Sequence, residues 1–287
     1  MHSSYQTTLL QPVTMSGVAL HTGCEATITL RPAGPETGIV WRRVDLPGAP
    51  DIAALPQNVV NTQRCTVIGK GGAVVRTVEH VMAALRGLEV DNCIVEVDGE
   101  EPPAGDGSAA EFVALIHRAG LCSLPVPRSP VTLDAPVFVE EGRSQLVALP
   151  HDRLSISCVF ANDRNHPALT HQWVEFDIDP HTFEDEIAAA RTIGFLQEIE
   201  ELRRQGLALG GNFDTAVVIG EDRILTPLRF PDEPARHKLL DLVGDLALLG
   251  HLHARIIAVR PSHRLNTRLT YRIAEQLGLV SGYIQSR

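Results

Sequence analysis

The side chains able to do chemistry fall in three short stretches. The first is Arg236-His-Lys-Leu-Leu-Asp-Leu-Val-Gly-Asp245. If Pro234 opens a helix, His237, Asp241 and Asp245 stand at i, i+4 and i+8 and form one stripe. The leucines and the valine between them bury the flanks, so the stripe looks toward the interior or a cleft. An imidazole and a carboxylate one turn apart can reach a single metal ion, as the two histidines of HExxH do. Gly244, between the two acids, permits close approach of another backbone or a substrate. Taken alone, the same stretch also suits a salt-bridged polar stripe.

The second stretch is Thr77-Val-Glu-His80, which opens a helix with Thr77 as its predicted N-cap. A helix N-terminus favours a carboxylate and disfavours an imidazolium, so Glu79 is expected ionised and His80 neutral. Adjacent helical residues point about 100° apart. His80 can therefore bind an ion while Glu79 stands beside it as a base without ligating. His80, His237 and Asp241 together make two imidazoles and one carboxylate with a position left open. That is the donor set of catalytic rather than structural zinc, and ferrous iron also takes it in oxygenases.

The third stretch is Ser262-His-Arg-Leu-Asn266, at the start of the last helix. A carboxylate at hydrogen-bond range raises a histidine pKa by about 1–3 units, more than a helix N-terminus lowers it. If Asp245 pairs with His263, an imidazolium near neutral pH results, able to stabilise an oxyanion or protonate a leaving amine. Unpaired, His263 is an ordinary surface histidine. Lys238, directly after His237, is within reach of a substrate or is a solvated helix lysine. His21 sits in the turn Gly17-Val-Ala-Leu-His-Thr-Gly23 with no role that follows from its position, and His251 and His253 read as ordinary. Asp106-Gly-Ser108 reads as a turn and helix cap.

These residues need elements to hold them. Strands are predicted at Ala26 to Leu30, Gly38 to Arg42, Asn92 to Val97, Leu154 to Phe160, Val174 to Ile178, Ala216 to Ile219 and Ala254 to Val259. Helices are predicted at Thr77 to Leu88, Ser108 to Ala119, Leu196 to Gln205, Pro234 to Leu249 and Ser262 to Gln276. Ser108-Ala-Ala-Glu111 has the pattern of a capping box, and Gly120 that of a helix stop. The prolines of Ser123-Leu-Pro-Val-Pro-Arg-Ser-Pro130 favour an extended connector, which divides the chain into 1–124 and 131–287. Runs of strands with paired helices indicate α+β layers, each half a β-sheet packed with helices. No sequence repeat is visible, which leaves room for a structural duplication without sequence similarity.

Composition narrows the function classes. With 287 residues, 44% hydrophobic and 21% charged, the chain is globular. A net charge of −10 and the lack of a Lys/Arg cluster argue against a nucleic-acid surface. The longest apolar runs are too short to cross a bilayer, and the first residues lack the pattern of a signal peptide. The five cysteines, at 24, 65, 93, 122 and 158, form neither a disulfide framework nor a CxxC knuckle. A reduced, cytoplasmic protein is expected, with Cys93 and Cys158 as small buried hydrophobes.

The three stretches stand in an order that resembles a known family, the UDP-3-O-acyl-N-acetylglucosamine deacetylases of Gram-negative bacteria. The resemblance also takes in Gly17-Val-Ala-Leu-His-Thr-Gly23, Asn61-Thr62, Cys65-Thr66, Asp106-Gly-Ser108, Arg191-Thr192 and Gly210-Gly211. It implies zinc as cofactor, with ligands His80, His237 and Asp241, and Glu79 as general base. It makes His263, oriented by Asp245, the electrophilic partner. Thr192 would bond the oxyanion, and Lys238 would contact substrate. It implies two layered α+β domains with the site in the cleft between them. A βαβ insert at about 191–218 would form an acyl tunnel, with Phe195, Ile199, Ala208, Asn212 and Val218 at its lining. Cys65 is counted with the substrate-binding residues. The partner implied is a UDP-sugar lipid precursor, the expected state a monomer, and the reaction the committed deacetylation of lipid A synthesis. Ser262 and Ile193 depart from the family pattern, which has a glycine and commonly an aromatic residue there. Two other readings remain at this point: a degenerate homologue that binds a nucleotide sugar without turnover, and a ferrous-iron oxygenase.

Overall fold

The computed structural model describes residues 4–280. The first half runs β1 (Tyr5–Leu9), β2 (Val13–Val18), β3 (Glu25–Pro32), β4 (Ile39–Arg43), β5 (Asp51–Ala53), β6 (Val59–Asn61), β7 (Val67–Lys70) and β8 (Ala73–Val75). It continues through α1 (Glu79–Gly87), β9 (Cys93–Val97) and α2 (Ala110–Ala119). After β10 (Leu121–Pro127) come β11 (Val131–Thr132), β12 (Val137–Glu141), β13 (Ser144–Pro150), β14 (Leu154–Phe160) and β15 (Gln172–Asp177). The chain ends through α3 (Pro180–Thr182), β16 (Ile193–Phe195), α4 (Leu196–Arg204), β17 (Val217–Ile219), α5 (Glu233–Leu246), β18 (Leu252–Val259) and α6 (His263–Gln276).

The duplication that no sequence repeat betrays is explicit in the sheets. The first large sheet has the order β2-β3-β9-β4-β5, and the second β12-β13-β18-β14-β15 with β11 beside β18. In each, the fifth of these strands inserts between the second and third, antiparallel to the second and parallel to the third. A helix precedes that inserted strand and another follows it: α1 and α2 in the first half, α5 and α6 in the second. A parallel pair needs a crossover, and α1 and α5 lie in the two crossovers.

Alternation along the central strands decides which face is buried. Ala26, Ile28 and Leu30 of β3 and Cys93, Val95 and Val97 of β9 point into the core, as do Ala254, Ile256 and Ala258 of β18. α1 is buried along its whole length, and on α5 Leu239, Leu240, Leu242 and Val243 are fully buried. Each such aliphatic side chain contributes roughly 1.5–3 kcal/mol on burial. The packing of α1 on α5 therefore belongs to the most firmly held part of the molecule, and it brings the equivalent crossover helices of the two halves together.

Gly244 sets how close that packing is. A Cβ there would lie 2.1 Å from the carbonyl oxygen of Glu79, so the room expected at this position is filled by the backbone of α1. Gly244→Ala should force the two helices apart and destabilise the protein by about 1–3 kcal/mol or more. Thermal unfolding measures this, and an unchanged Tm would contradict the close packing.

Several local expectations need correction. Thr77 does not cap α1: its φ is +55° and its hydroxyl donates to the buried Glu101, at 2.6 Å. The competing carboxylate takes the hydroxyl, and the helix starts two residues later than predicted. Ser108 forms no capping box, because its hydroxyl donates to Asp106 and accepts from the Ala110 amide. Gly120 does end α2, at φ +69°. The proline-rich connector is extended as predicted, yet much of it is β10, paired antiparallel with β1. Its Arg128 reaches the buried Glu89 and the partly buried Asp91 beyond α1, at 3.0 and 2.7 Å. No described helix is long and apolar enough to cross a membrane.

Candidate metal and acid–base site

His80 sits in the first turn of α1, and His237 and Asp241 lie one turn apart on α5. The helix contact brings one ligand atom from each within 4.8 Å of the others. The Nε2 atoms of His80 and His237 lie 3.7 and 3.3 Å from Asp241 Oδ1. The two rings meet edge to face, with centroids 5.2 Å apart. His237 Nδ1 lies 3.0 Å from the carbonyl of Ala190, and a carbonyl only accepts. The proton is therefore on Nδ1, and the Nε2 lone pair faces Asp241.

These residues fit a cation. Among the described residues Asp241 Oδ1 is buried with no hydrogen-bond partner, a costly condition for a carboxylate unless a positive charge completes it. Its other oxygen is held by Lys238 Nζ at 2.8 Å. Burial works against an ionised Asp241, but His237 and Lys238 hold it well below the ordinary carboxylate range. Burial pushes His237 down to about 4, against the pull of Asp241. Both groups are thus in the protonation state a metal requires.

Glu79 stands beside this cluster. Its Oε2 accepts the Thr66 N–H at 3.0 Å, and its Oε1 lies 3.6 Å from His263 Nε2. The helix N-terminus was expected to keep it ionised; burial instead raises its pKa. Asp245, one turn beyond Asp241, pairs with His263 Nδ1 through Oδ2 at 3.0 Å, the pairing that the resemblance implied. Burial alone would lower the His263 pKa, but Asp245, Glu79 and Asp241 outweigh it and push it up to about 9. The imidazolium expected from the sequence is what the surroundings favour. Ser262 caps α6 by accepting the Leu265 amide at 3.3 Å.

A cavity of about 620 Å³ opens from this site, within the range of small-molecule pockets. Glu79, His80, His237, Lys238, Asp241 and His263 line one part of it. The segment β16–α4–β17, a βαβ unit with its two strands parallel, walls another part. Phe195, Ile199, Ala208, Asn212 and Val218 all face this cavity, as does Thr192. Thr192 is held from both sides: its N–H donates to Gly107 at 2.8 Å and its carbonyl accepts from Val217 at 2.7 Å. Gly107, at φ +78°, is irreplaceable there, since a Cβ would collide with the Thr215 carbonyl.

Cys65 is not among the lining residues. The backbone turns through φ +67° at Arg64, which sends Cys65 inward while Thr62 and Arg64 face the cavity. Burial pushes the Cys65 thiol up to about 12, so it offers no thiolate. His21, which had no role from its position, does have one in the fold. Its Nδ1 accepts from the Ala208 amide and its carbonyl from Leu209, tying the 17–23 turn to the βαβ unit. Glu101 was missed altogether: it is buried and accepts from the amides of His21 and Thr22 as well as from Thr77. Thr66 and Asn266 were seen only as parts of motifs, yet both donate to Asp245. No periodicity marks such residues, because their partners are remote in sequence.

Residues 6–275 match the family model described as LpxC, UDP-3-O-acyl N-acetylglycosamine deacetylase. The UDP-3-O-acyl-N-acetylglucosamine deacetylase of Geobacter sp. (strain M21) is 46% identical over 270 residues, 92% of this chain and 87% of its own length. The protein of the same name from Syntrophotalea carbinolica is 43% identical, covering 94% of this chain and 87% of its own. That from Chromobacterium violaceum is 41% identical, over 94% and 90% respectively. With the match running through all three chemical stretches, the chain belongs to the LpxC family of UDP-3-O-acyl N-acetylglycosamine deacetylases.

Proposed function

We propose that the protein is a zinc-dependent hydrolase that removes the acetyl group of UDP-3-O-((R)-3-hydroxyacyl)-N-acetylglucosamine, the committed step of lipid A biosynthesis. Water and the 2-acetamido group give acetate and the free amine. The observation that carries this reading is the buried Asp241 Oδ1, without a hydrogen-bond partner among the described residues, facing two imidazole Nε2 atoms beside the cavity. His80, His237 and Asp241 would hold the metal, and the absence of a thiolate among them suits a catalytic zinc. Zinc held there supplies Lewis acidity, polarising the amide carbonyl and making water nucleophilic near neutral pH.

The chain's own groups do the rest. Glu79, its Oε2 anchored on the Thr66 amide, takes the proton of the attacking water with Oε1. Its raised pKa makes it a better proton carrier near neutrality than an exposed carboxylate. His263, held cationic by Asp245, donates toward the developing oxyanion, assisted by Thr192. One of the two acids, Glu79 or His263, then protonates the leaving amine. Lys238 holds Asp241 and has further donors directed at the cavity. The βαβ unit receives the acyl chain along Phe195, Ile199, Ala208 and Val218, with Asn212 at the same wall. The reading divides the chain into domains of 1–124 and 131–287 and places it in the cytoplasm as a monomer.

The decisive experiment is deacetylation of the UDP-sugar by purified protein, with metal analysis, before and after chelation. We expect zinc rather than iron, turnover without an oxygen requirement, loss of turnover with the metal, and recovery on adding zinc. Full turnover by metal-free protein would refute the reading, and metal-loaded protein that binds but never hydrolyses would favour a degenerate homologue.

The pH profile follows from His263. The imidazolium is intact below about 9 and loses its proton as pH rises through that value, so kcat/KM should fall on the basic side there. Asp245→Asn removes the anion that retains the proton and should move that limb toward lower pH. A limb that stays in place would dissociate it from His263.

A further inference from the structure

Thr66 precedes β7 and lies where α1 and α5 meet, and the chemistry above uses only its amide. It is fully buried, so it touches no substrate. Yet its carbonyl accepts the Val78 N–H at 3.3 Å, its N–H donates to Glu79 Oε2 at 3.0 Å, and its hydroxyl donates to Asp245 Oδ1 at 2.5 Å. The direction of the last bond is fixed, because an ionised carboxylate only accepts. The same hydroxyl oxygen lies 3.3 Å from His263 Nδ1.

We propose that Thr66 is a positioning residue for the deacetylation, holding the carboxylate of Glu79 and that of Asp245 in one frame so that base and imidazole meet the substrate in fixed relation. The proposal rests on the deacetylase reading. It assigns to one side chain a coupling between groups that come from different helices and are 166 residues apart (245 minus 79).

The physical need is at Asp245. Its Oδ2 receives both His263 Nδ1, at 3.0 Å, and Asn266 Nδ2, at 2.9 Å. Among the described residues Thr66 is the donor to Oδ1. A carboxylate turns easily about its terminal torsion, which is broad and two-fold. With Oδ1 unheld, rotation carries Oδ2 off the imidazole, and His263 loses the partner that aims Nε2 toward Glu79 and the cavity. Threonine suits the task because its branched Cβ restricts χ1 and so the direction of the hydroxyl. Its methyl group also packs where a serine would leave space.

The hydroxyl can be separated from the packing. Steady-state kinetics with the UDP-sugar substrate, zinc content and Tm are measured for wild type, Thr66→Val, Thr66→Ser and Thr66→Ala. Loss of a buried hydrogen bond that aims a reacting group lowers kcat by about 10- to 100-fold. Thr66→Val should show that loss with KM and zinc content unchanged, and Thr66→Ser should recover most of it. A role confined to packing predicts the reverse order, with valine tolerated and serine impaired through Tm. Wild-type kcat in Thr66→Val overturns the proposal. If that variant does not fold, serine against alanine isolates the same hydroxyl, and equal kcat in those two overturns it as well. Wild-type protein that fails to deacetylate the substrate overturns the functional reading itself, an outcome distinct from active wild type with an equally active valine variant.

Discussion

Glu79→Gln should lower kcat by about 10²- to 10⁴-fold, the usual contribution of a positioned general base, while zinc stays bound. The amide is nearly isosteric and its oxygen can still accept the Thr66 N–H, so the start of α1 keeps its place. Glu79 lies outside the cluster of His80, His237 and Asp241, so the metal loses no donor. What is lost is a basic oxygen 3.6 Å from His263 Nε2 and facing the cavity. Because the change acts on proton transfer, kcat should fall while KM holds. Metal analysis alongside steady-state kinetics checks the prediction. A glutamine variant with near wild-type kcat would remove Glu79 from the base role, and one that had shed its zinc would make it a ligand or a support for one.

Asp241→Ala should abolish activity by a different route, through the metal. Removing a mere supporting partner of a ligand commonly costs about 10- to 100-fold in metal affinity, so removing a ligand should cost more than that. Two further consequences follow from the surroundings. Lys238 loses the carboxylate oxygen 2.8 Å from its ammonium and is left at the cavity wall without that partner. The two imidazoles, which face Asp241 Oδ1, lose the anion between them. Competition with a chromophoric chelator measures the affinity directly. Tight zinc binding by the alanine variant would mean that the ion sits elsewhere. The contrast between the two variants separates proton transfer from metal binding: one keeps zinc without turnover, the other keeps neither.

The two substitutions also expose how the site is built. Its groups come from the first turn of α1, from one face of α5 and from the first turn of α6. Helix ends and helix faces are rigid mounts, and the α1–α5 contact fixes their spacing to the tolerance of a missing Cβ at Gly244. A site assembled across the two equivalent crossover helices depends on the whole core. Gly244→Ala, though it removes no polar group, should therefore disturb the same geometry.

Much of this was legible in the sequence because the relevant physics is local. A helix repeats at 3.6 residues, so His237, Asp241 and Asp245 had to share a face, and Cys93 and Cys158, inside strand-like runs, are buried as small hydrophobes. The choice between a polar stripe and a metal site was not local: the donor types of the second stretch put His80 forward as the third member, and the family resemblance then implied the same set. Where the capping and dipole rules failed, a competing carboxylate or burial had won. Thr77 gave its hydroxyl to Glu101, Ser108 to Asp106, and burial overcame the helix N-terminus at Glu79. The connector at 123–130 read as a mere spacer because the pairing of β10 with β1 joins residues more than a hundred positions apart.

By itself, then, the sequence determined the donor types, their spacing within each helix and the layered α+β class, since side-chain chemistry and helical or strand period are properties of neighbouring residues. The tertiary structure alone decided that three donors meet within one ion's reach, that Asp241 Oδ1 is left without a partner among the described residues, and that Thr66, Glu101 and His21 hydrogen-bond around the site. These depend on close packing of segments distant in the chain, and no local period encodes a distance between them.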